Sequence, residues 1–215
     1  MTSPYAGLTS DKWTTKTNEL IQRLPLTEKE IVDTVLACWN DIFVSKIGIE
    51  NYSIGKDIFP TPQIMGALLH ELIPIALAKQ KKGQWRVNRT KQEKDIVCIT
   101  NPELSIEIKT SSHKTHIAGN RSYAQKNDAK ISSPPRKTKS GYYLTINFEK
   151  FEKPSQKTAS PKEPMKRPEI CQISLGWIDH EDWTGQVAPT GQSASISEDV
   201  YKYKLKRLYT KDKSP

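Results

Sequence analysis

The spacing of hydrophobic positions changes part-way along this chain. Through the first third they recur every three or four residues, the period of one helix face. Trp13, Leu20, Ile21 and Leu24 form a loose stripe that predicts a helix over 10–24. A second helix opens at Thr27-x-x-Glu30, a capping box in which each side chain satisfies the other residue's backbone amide. Ile31, Val32, Val35, Leu36, Trp39, Ile42 and Phe43 follow it at helical spacing. A third starts with Thr61 as N-cap and Pro62 at its first position, where a missing N–H costs nothing. It runs through Ile64, Met65, Leu68, Leu69, Leu72 and Ile73, and Pro74 should kink it. From Trp85 onward the apolar runs are short and predict strands near 85–88, 95–100, 104–110, 142–148, 170–177 and 183–188. Polar, basic stretches at 111–140 and 153–168 interrupt them, the second with four prolines, and both read as loops. The tail 197–209 has two readings, a helix from Ser197 or a strand from its Tyr/Lys alternation. Strands framed by helices give the α/β (α+β) class.

At 215 residues the chain suits a single domain with one sizeable core. It contains no apolar run long enough for a membrane span. The start, MTSPYAGLTSDKW, has neither a basic region nor an apolar core of a signal peptide, so a cytoplasmic location is expected. Cys38, Cys98 and Cys171 are odd in number and scattered, matching no disulfide framework and no C-x-x-C metal pattern. The formal charge of +9 is unevenly placed: residues 1–78 carry 6 basic and 9 acidic side chains, residues 79–215 carry 27 and 15. A basic second half suggests a face for a polyanion, of which nucleic acid is the commonest. Solubility is the plain alternative.

Candidate chemistry concentrates in KDIVCITNPELSIEIKTSS, beginning at Lys94. Ile96 to Ile99 form an apolar strand, Asn101-Pro102 signals a turn, and Leu104 to Thr110 alternate as a second strand. There Leu104, Ile106 and Ile108 face one way, and Ser105, Glu107 and Lys109 the other. Glu107 and Lys109 therefore share a face, roughly 6.6 Å apart along the strand. If the two strands form a hairpin, the residue opposite Asp95 lies within 107–109. Opposite Glu107 or Lys109, Asp95 joins their face; opposite Ile108 it does not. A converging trio would suit phosphate chemistry. Two carboxylates can hold Mg²⁺, and a lysine beside them can orient a water and offset the charge of pentavalent phosphorus. The plain alternative is the wet face of an edge strand.

This D-x11-E-I-K pattern on strand–turn–strand resembles the PD-(D/E)xK nuclease core. In that core the Asp and the acidic residue bind Mg²⁺ and the Lys serves the attacking water. Lys94 stands where the motif has Pro. ALLHELIPIAL (67–77) resembles the helix before the core in type II restriction endonucleases of the EcoRV kind, with Glu71 where such enzymes carry an additional active-site glutamate. ISLGWIDHEDWTGQVAPTGQSASI (173–196) is similar to their strand, strand and base-reading loop, and IEIKTSSHKTHIAGNRSYAQ (106–125) resembles the ScaI family. The resemblance covers roughly 60–125 and 170–196; residues 1–58 and 149–168 match nothing recognisable.

The resemblance implies a restriction-endonuclease-like core, a central mixed β-sheet flanked by helices. The single domain is expected to comprise a helical part, 1–58, a candidate dimerisation subdomain, and a catalytic and DNA-reading part, 59–215. Asp95 and Glu107 would hold Mg²⁺ (Mn²⁺ substituting), Lys109 would serve the water, and Glu71 would support them. Double-stranded DNA would be cut blunt at a short palindromic sequence by a homodimer, with a cognate DNA methyltransferase protecting host DNA and no membrane partner. Arg121, Tyr123 and Gln125 carry donors suited to phosphates or base edges, though such residues are ordinary in loops. Thr190, Gly191, Gln192 and Ser193 match the reading loop, where an amide side chain can pair with adenine; a plain hairpin turn is the alternative. His113 and His116 lack a third ligand at zinc spacing, which favours a loop role or phosphate contact. His70 has no assigned role, and Trp177 and Trp183 are most simply packing residues. Two other classes stay open: a repair or recombination nuclease with the same core, and a DNA-binding protein without chemistry.

Overall fold

The computed structural model describes residues 2–125, 138–152, 166–187 and 193–211. Three helices come first, α1 (Ser10–Gln22), α2 (Glu28–Val44) and α3 (Pro62–Gln80), with a small hairpin, β1 (Lys46–Ile47) and β2 (Tyr52–Ser53), between the last two. The Thr27–Glu30 capping box forms at the start of α2 as the sequence predicts. Pro62 takes the first position of α3, and Thr61, though placed as N-cap, makes no side-chain cap bond. The helix continues past Pro74 to Gln80.

The strands follow. They are β3 (Trp85–Val87), β4 (Ile96–Cys98), β5 (Ile106–Ser111), β6 (Gly119–Asn120), β7 (Gly141–Phe148), β8 (Ile170–Ile178), β9 (Trp183–Gly185), β10 (Ser193–Ile196) and β11 (Leu205–Thr210). Six of them form the main sheet in the order β11-β8-β7-β5-β4-β3. All its pairs are antiparallel except β5 with β7. A second sheet, β6-β10-β9, is antiparallel throughout. The tail combines both of its readings: a π turn at Val200–Lys204 leads into β11.

Strand alternation sets the layers. On one face Ile106 and Ile108 of β5, Tyr142, Leu144, Ile146 and Phe148 of β7, and Ile173, Leu175 and Trp177 of β8 pack with residues from all three helices. On the other, Tyr143 and Ile178 pack with Ile117, Trp183, Ala194, Ile196, Val200 and Leu205, which come from the loop before β6, the small sheet and the C-terminal segment. Strand β7 is buried along its whole length, as a central strand covered on both faces must be. Trp177 and Trp183 are both packing residues here. No disulfide joins the cysteines, and among the described residues no helix is long and apolar enough to cross a membrane.

Helix α3 lies unusually close to β5. A Cβ added at Gly66 would stand 2.5 Å from Thr110 Oγ1, so only glycine allows this approach. Gly66→Ala should therefore cost about 1–3 kcal/mol of stability, the usual penalty of overpacking. Thr110→Ala in the same chain should restore most of it. Urea denaturation of the single and double variants checks this, and an unaltered midpoint for Gly66→Ala would show that α3 has room to move.

Candidate active site

The active-site geometry starts where two strands part. Strand β4 pairs with β5 only through Ile96 opposite Ile106. One further antiparallel step sets Asp95 across from Glu107, one of the two registers that put all three candidates on one face. The backbone ladder stops there, and the Asp95 carboxylate replaces it: Oδ2 accepts the Ile108 amide at 2.8 Å. The side chain is thus fixed to β5 by a charge-assisted bond. His70 of α3 brings Nδ1 to 3.5 Å from the same oxygen.

The turn that feeds Asp95 is held by charge as well. Arg86 of β3 grips Glu93 through both guanidinium nitrogens, and Glu93 Oε2 also accepts the Arg89 amide at 2.6 Å. The guanidinium first, and then that backbone bond, hold the Glu93 carboxyl at about 2 against its ordinary 4.5. A depressed folded-state pKa contributes stability above the unfolded value, and this contribution is lost as pH falls toward 2. Between pH 5 and 2 the wild-type chain should lose thermal stability with a component that Glu93→Gln lacks (window set by the same shift). Melting curves of both proteins across that range test it; parallel curves would show that the turn is held by other contacts.

Glu107 and Lys109 lie on β5 with side chains 6% and 14% exposed, and Lys109 Nζ is 3.1 Å from Glu107 Oε1. Tyr123 completes the arrangement. Its hydroxyl donates to Glu107 Oε1 at 2.8 Å and accepts from Lys109 Nζ at 2.7 Å. Burial, then the Glu107 charge, push the phenol's pKa well above its usual value, so it stays a donor at every working pH. Burial and the same carboxylate do likewise to Tyr143, which faces Glu107 in register from β7. The Asp95 charge raises both phenols further, behind burial and Glu107.

The remaining candidates separate into groups. Glu71 is exposed and lines a cavity of about 550 Å³ with His70, Gly66, Thr110, Ser111 and Ser112, at the end of β5 beside α3. Arg121, Tyr123 and Gln125 sit on or cap one short 3-10 turn, Arg121–Ala124. Gln125 is exposed, and its carbonyl accepts from Lys139 Nζ at 2.7 Å. Ser193 begins β10 opposite Asn120 of β6. Thr190, Gly191 and Gln192 lie outside the described residues. His113 and His116 are exposed, with backbone carbonyls bonded to Asn147 Nδ2, so the loop after β5 is tied down to β7.

Two features escaped the sequence reading. His70 had no assigned role, yet it is the helical residue that reaches Asp95; its position one residue before Glu71 was the available signal. Tyr123, a candidate DNA contact by its sequence, bonds Glu107 and Lys109 through its hydroxyl. No local pattern announces that, because it depends on the path between β5 and β7. Parallel neighbours require a crossover of a dozen or more residues, and this one lays the 121–124 turn over the face that carries Glu107 and Lys109.

A metal ion fits this donor set in one way. Among the described residues no group of three or more His, Cys, Asp and Glu side chains is arranged to hold one. Asp95 and Glu107 offer hard oxygens at facing positions, so a divalent ion there would draw its other ligands from water and substrate. That is the habit of a hard, hydrated divalent cation rather than of zinc.

A six-stranded mixed sheet, with its helices packed on one face and a small sheet on the other, is a fold of the restriction-endonuclease-like class. Within that class the chain belongs to the ScaI restriction endonuclease family, whose profile matches residues 3–209. It is 41% identical over 208 residues to the type II restriction enzyme ScaI of Streptomyces caespitosus, an overlap of 97% of this chain and 85% of that enzyme.

Proposed function

We propose that this chain is a type II restriction endonuclease that hydrolyses phosphodiester bonds in double-stranded DNA. The observation that carries the reading is the Asp95 carboxylate, bonded to the Ile108 amide where β4 leaves β5, beside the Glu107–Lys109 pair. Asp95 and Glu107 would hold Mg²⁺, with Mn²⁺ a substitute, and Glu71 would support them from the cavity wall. The bound ion would acidify a water and polarise the scissile P–O bond. Lys109 has three N–H groups, two of them engaged by Glu107 and Tyr123, and the third serves the attacking water or a phosphate oxygen. Its charge offsets the negative charge that gathers on phosphorus.

The basic second half of the chain supplies the phosphate contacts, so binding should weaken steeply with salt. Arg121, Gln125 and the 190–193 loop are the proposed DNA contacts. A homodimer acting on a short palindrome follows from matching the two-fold axes of protein and site. The 1–58 part is the proposed dimerisation subdomain, and blunt ends are expected from the EcoRV-like arrangement. A cognate methyltransferase would protect host DNA in the cytoplasm.

The deciding experiment incubates the purified protein with plasmid DNA and Mg²⁺, beside an EDTA control and Asp95→Ala. Discrete fragments that vanish in both controls are expected, and their ends give the site and the cut. A smear that vanishes in both would favour the repair-type nuclease. Intact DNA with Mg²⁺ and with Mn²⁺ would overturn the enzymatic reading.

A further inference from the structure

We propose that Tyr123 is a positioning residue for DNA cleavage: its phenol clamps the Lys109 ammonium against Glu107 and so fixes the point from which Lys109 acts. The proposal rests on the reading of Asp95, Glu107 and Lys109 given above. Lysine ends in a compact charge on a flexible four-carbon stem, and only contacts at its tip can fix that charge in space. Glu107 holds it at 3.1 Å, long for a charge-assisted bond, whereas Tyr123 holds it at 2.7 Å. The phenol is therefore the tighter of the two contacts. The ammonium also lies over the Tyr123 ring, 4.4 Å from its centroid, so the same residue offers it a π face as well as a lone pair.

The direction of the bonds matters. Tyr123 has one hydrogen, and it goes to Glu107 Oε1 at 2.8 Å. Its oxygen is left as an acceptor, and the ammonium meets it there. Lys109, Tyr123 and Glu107 thus close a three-membered ring of hydrogen bonds in which each partner orients the other two. Tyr143 cannot do this from the neighbouring strand, because its hydroxyl donates to the Lys139 carbonyl.

The clamp is itself anchored. The Tyr123 ring packs on Trp183 of β9 with centroids 4.8 Å apart. Gly119 of β6 passes so close that a Cβ there would stand 2.9 Å from the Trp183 ring and 3.1 Å from Tyr123 Cγ. Lys139, itself buried, donates to the Ser122 and Gln125 carbonyls and closes the turn that bears Tyr123. The small sheet that frames the proposed reading loop is thereby built onto the residue that holds Lys109.

Tyr123→Phe tests the clamp, since it keeps the ring, its packing on Trp183 and its π face and removes only the hydroxyl. The wild-type protein, Asp95→Ala and Tyr123→Phe are compared under enzyme excess with Mg²⁺, at a temperature well below the melting transition of each. The single-turnover rate of Tyr123→Phe should fall roughly 10- to 100-fold, the scale of losing one bond to a charged group that sets a reacting geometry. Its affinity for the same DNA in Ca²⁺ should stay within about twofold, which a general loosening of the site would not allow. A rate within about twofold of wild type, or a loss of affinity as large as the loss of rate, overturns the proposal. A double-mutant cycle with Lys109→Arg, which cancels any loss of stability common to both backgrounds, gives a second measurement: a guanidinium reaches the phenol and Glu107 differently, so with a working clamp Tyr123→Phe should cost less in that background than in wild type, and an equal cost overturns the idea. Failure of the underlying reading looks different, because then wild type does not cut or Asp95→Ala cuts as well as wild type.

Discussion

Asp95→Asn is expected to abolish cleavage while leaving the fold and DNA binding in place, a rate loss on the order of 1000-fold or more, equivalent to about 4 kcal/mol of barrier. Asparagine is the informative replacement because Asp95 has two tasks that alanine would remove together. Its Oδ2 accepts the Ile108 amide, which sits on a buried strand and has lost its ladder partner where β4 departs. Without an acceptor that N–H would cost roughly 1–3 kcal/mol of stability. Asparagine keeps a carbonyl oxygen for it and gives up the charge. Alanine should therefore lower both the melting temperature and the rate, asparagine the rate alone. With one negative charge fewer beside the phosphate path, Asp95→Asn should bind duplex DNA at least as tightly as wild type in the absence of divalent ions. Thermal melting, a metal-free binding titration and single-turnover cleavage separate the three quantities. Near-wild-type cleavage by Asp95→Asn would remove the carboxylate from the chemistry and leave it as a strand clasp.

What could be read in the sequence, and what could not, divides along physical lines. The capping box before α2 and the Ile106/Ile108 alternation are local, and each appears where its spacing puts it. The Asp95–Glu107–Lys109 spacing limited the hairpin register to a few choices, and a single pairing, Ile96 with Ile106, selects among them. The tail had two readings because it does two things: a five-residue π turn, then a strand that pairs antiparallel with β8. Strands of two residues, such as β1, β2 and β6, are too short for any period to show. Tyr123 and His70 reach the site through pairings far apart in the chain. Asn120 meets Ser193, and α3 meets β5 through the bare face of Gly66. Nothing local to Tyr123 encodes its meeting with Lys109, and for His70 the adjacent Glu71 is the one local hint.

Lys204→Met should unfold the C-terminal edge of the molecule more severely than any surface change. Lys204 ends the π turn, and its side chain is only 4% exposed. Nζ bonds Asp179 Oδ2 at 3.0 Å and both Asp182 oxygens at 2.8 and 2.9 Å, and it lies over the rings of Tyr5 and Trp13. Asp179 also accepts from Ser3 Oγ and Trp177 Nε1, so the ammonium joins the N-terminal segment to β8 and β11. Methionine would fill the space and leave one buried and one partly buried carboxylate without their cation. Breaking such a group costs about 3–5 kcal/mol, or roughly 6–20 °C in a chain of this length. Burial pushes the Asp182 carboxyl up, and Lys204 works against that push. With the lysine gone the carboxyl should rise further, and a folded-state pKa raised above the unfolded one means stability regained as pH falls. The deficit of Lys204→Met should accordingly shrink as pH falls, and Asp179→Asn with Asp182→Asn should rescue it at neutral pH. A deficit below about 1 kcal/mol, or one that grows on acidification, would contradict this account. Trp183 follows Asp182 directly and carries the Tyr123 ring, so the same substitution should loosen the hold on Lys109 and slow cleavage before the protein melts.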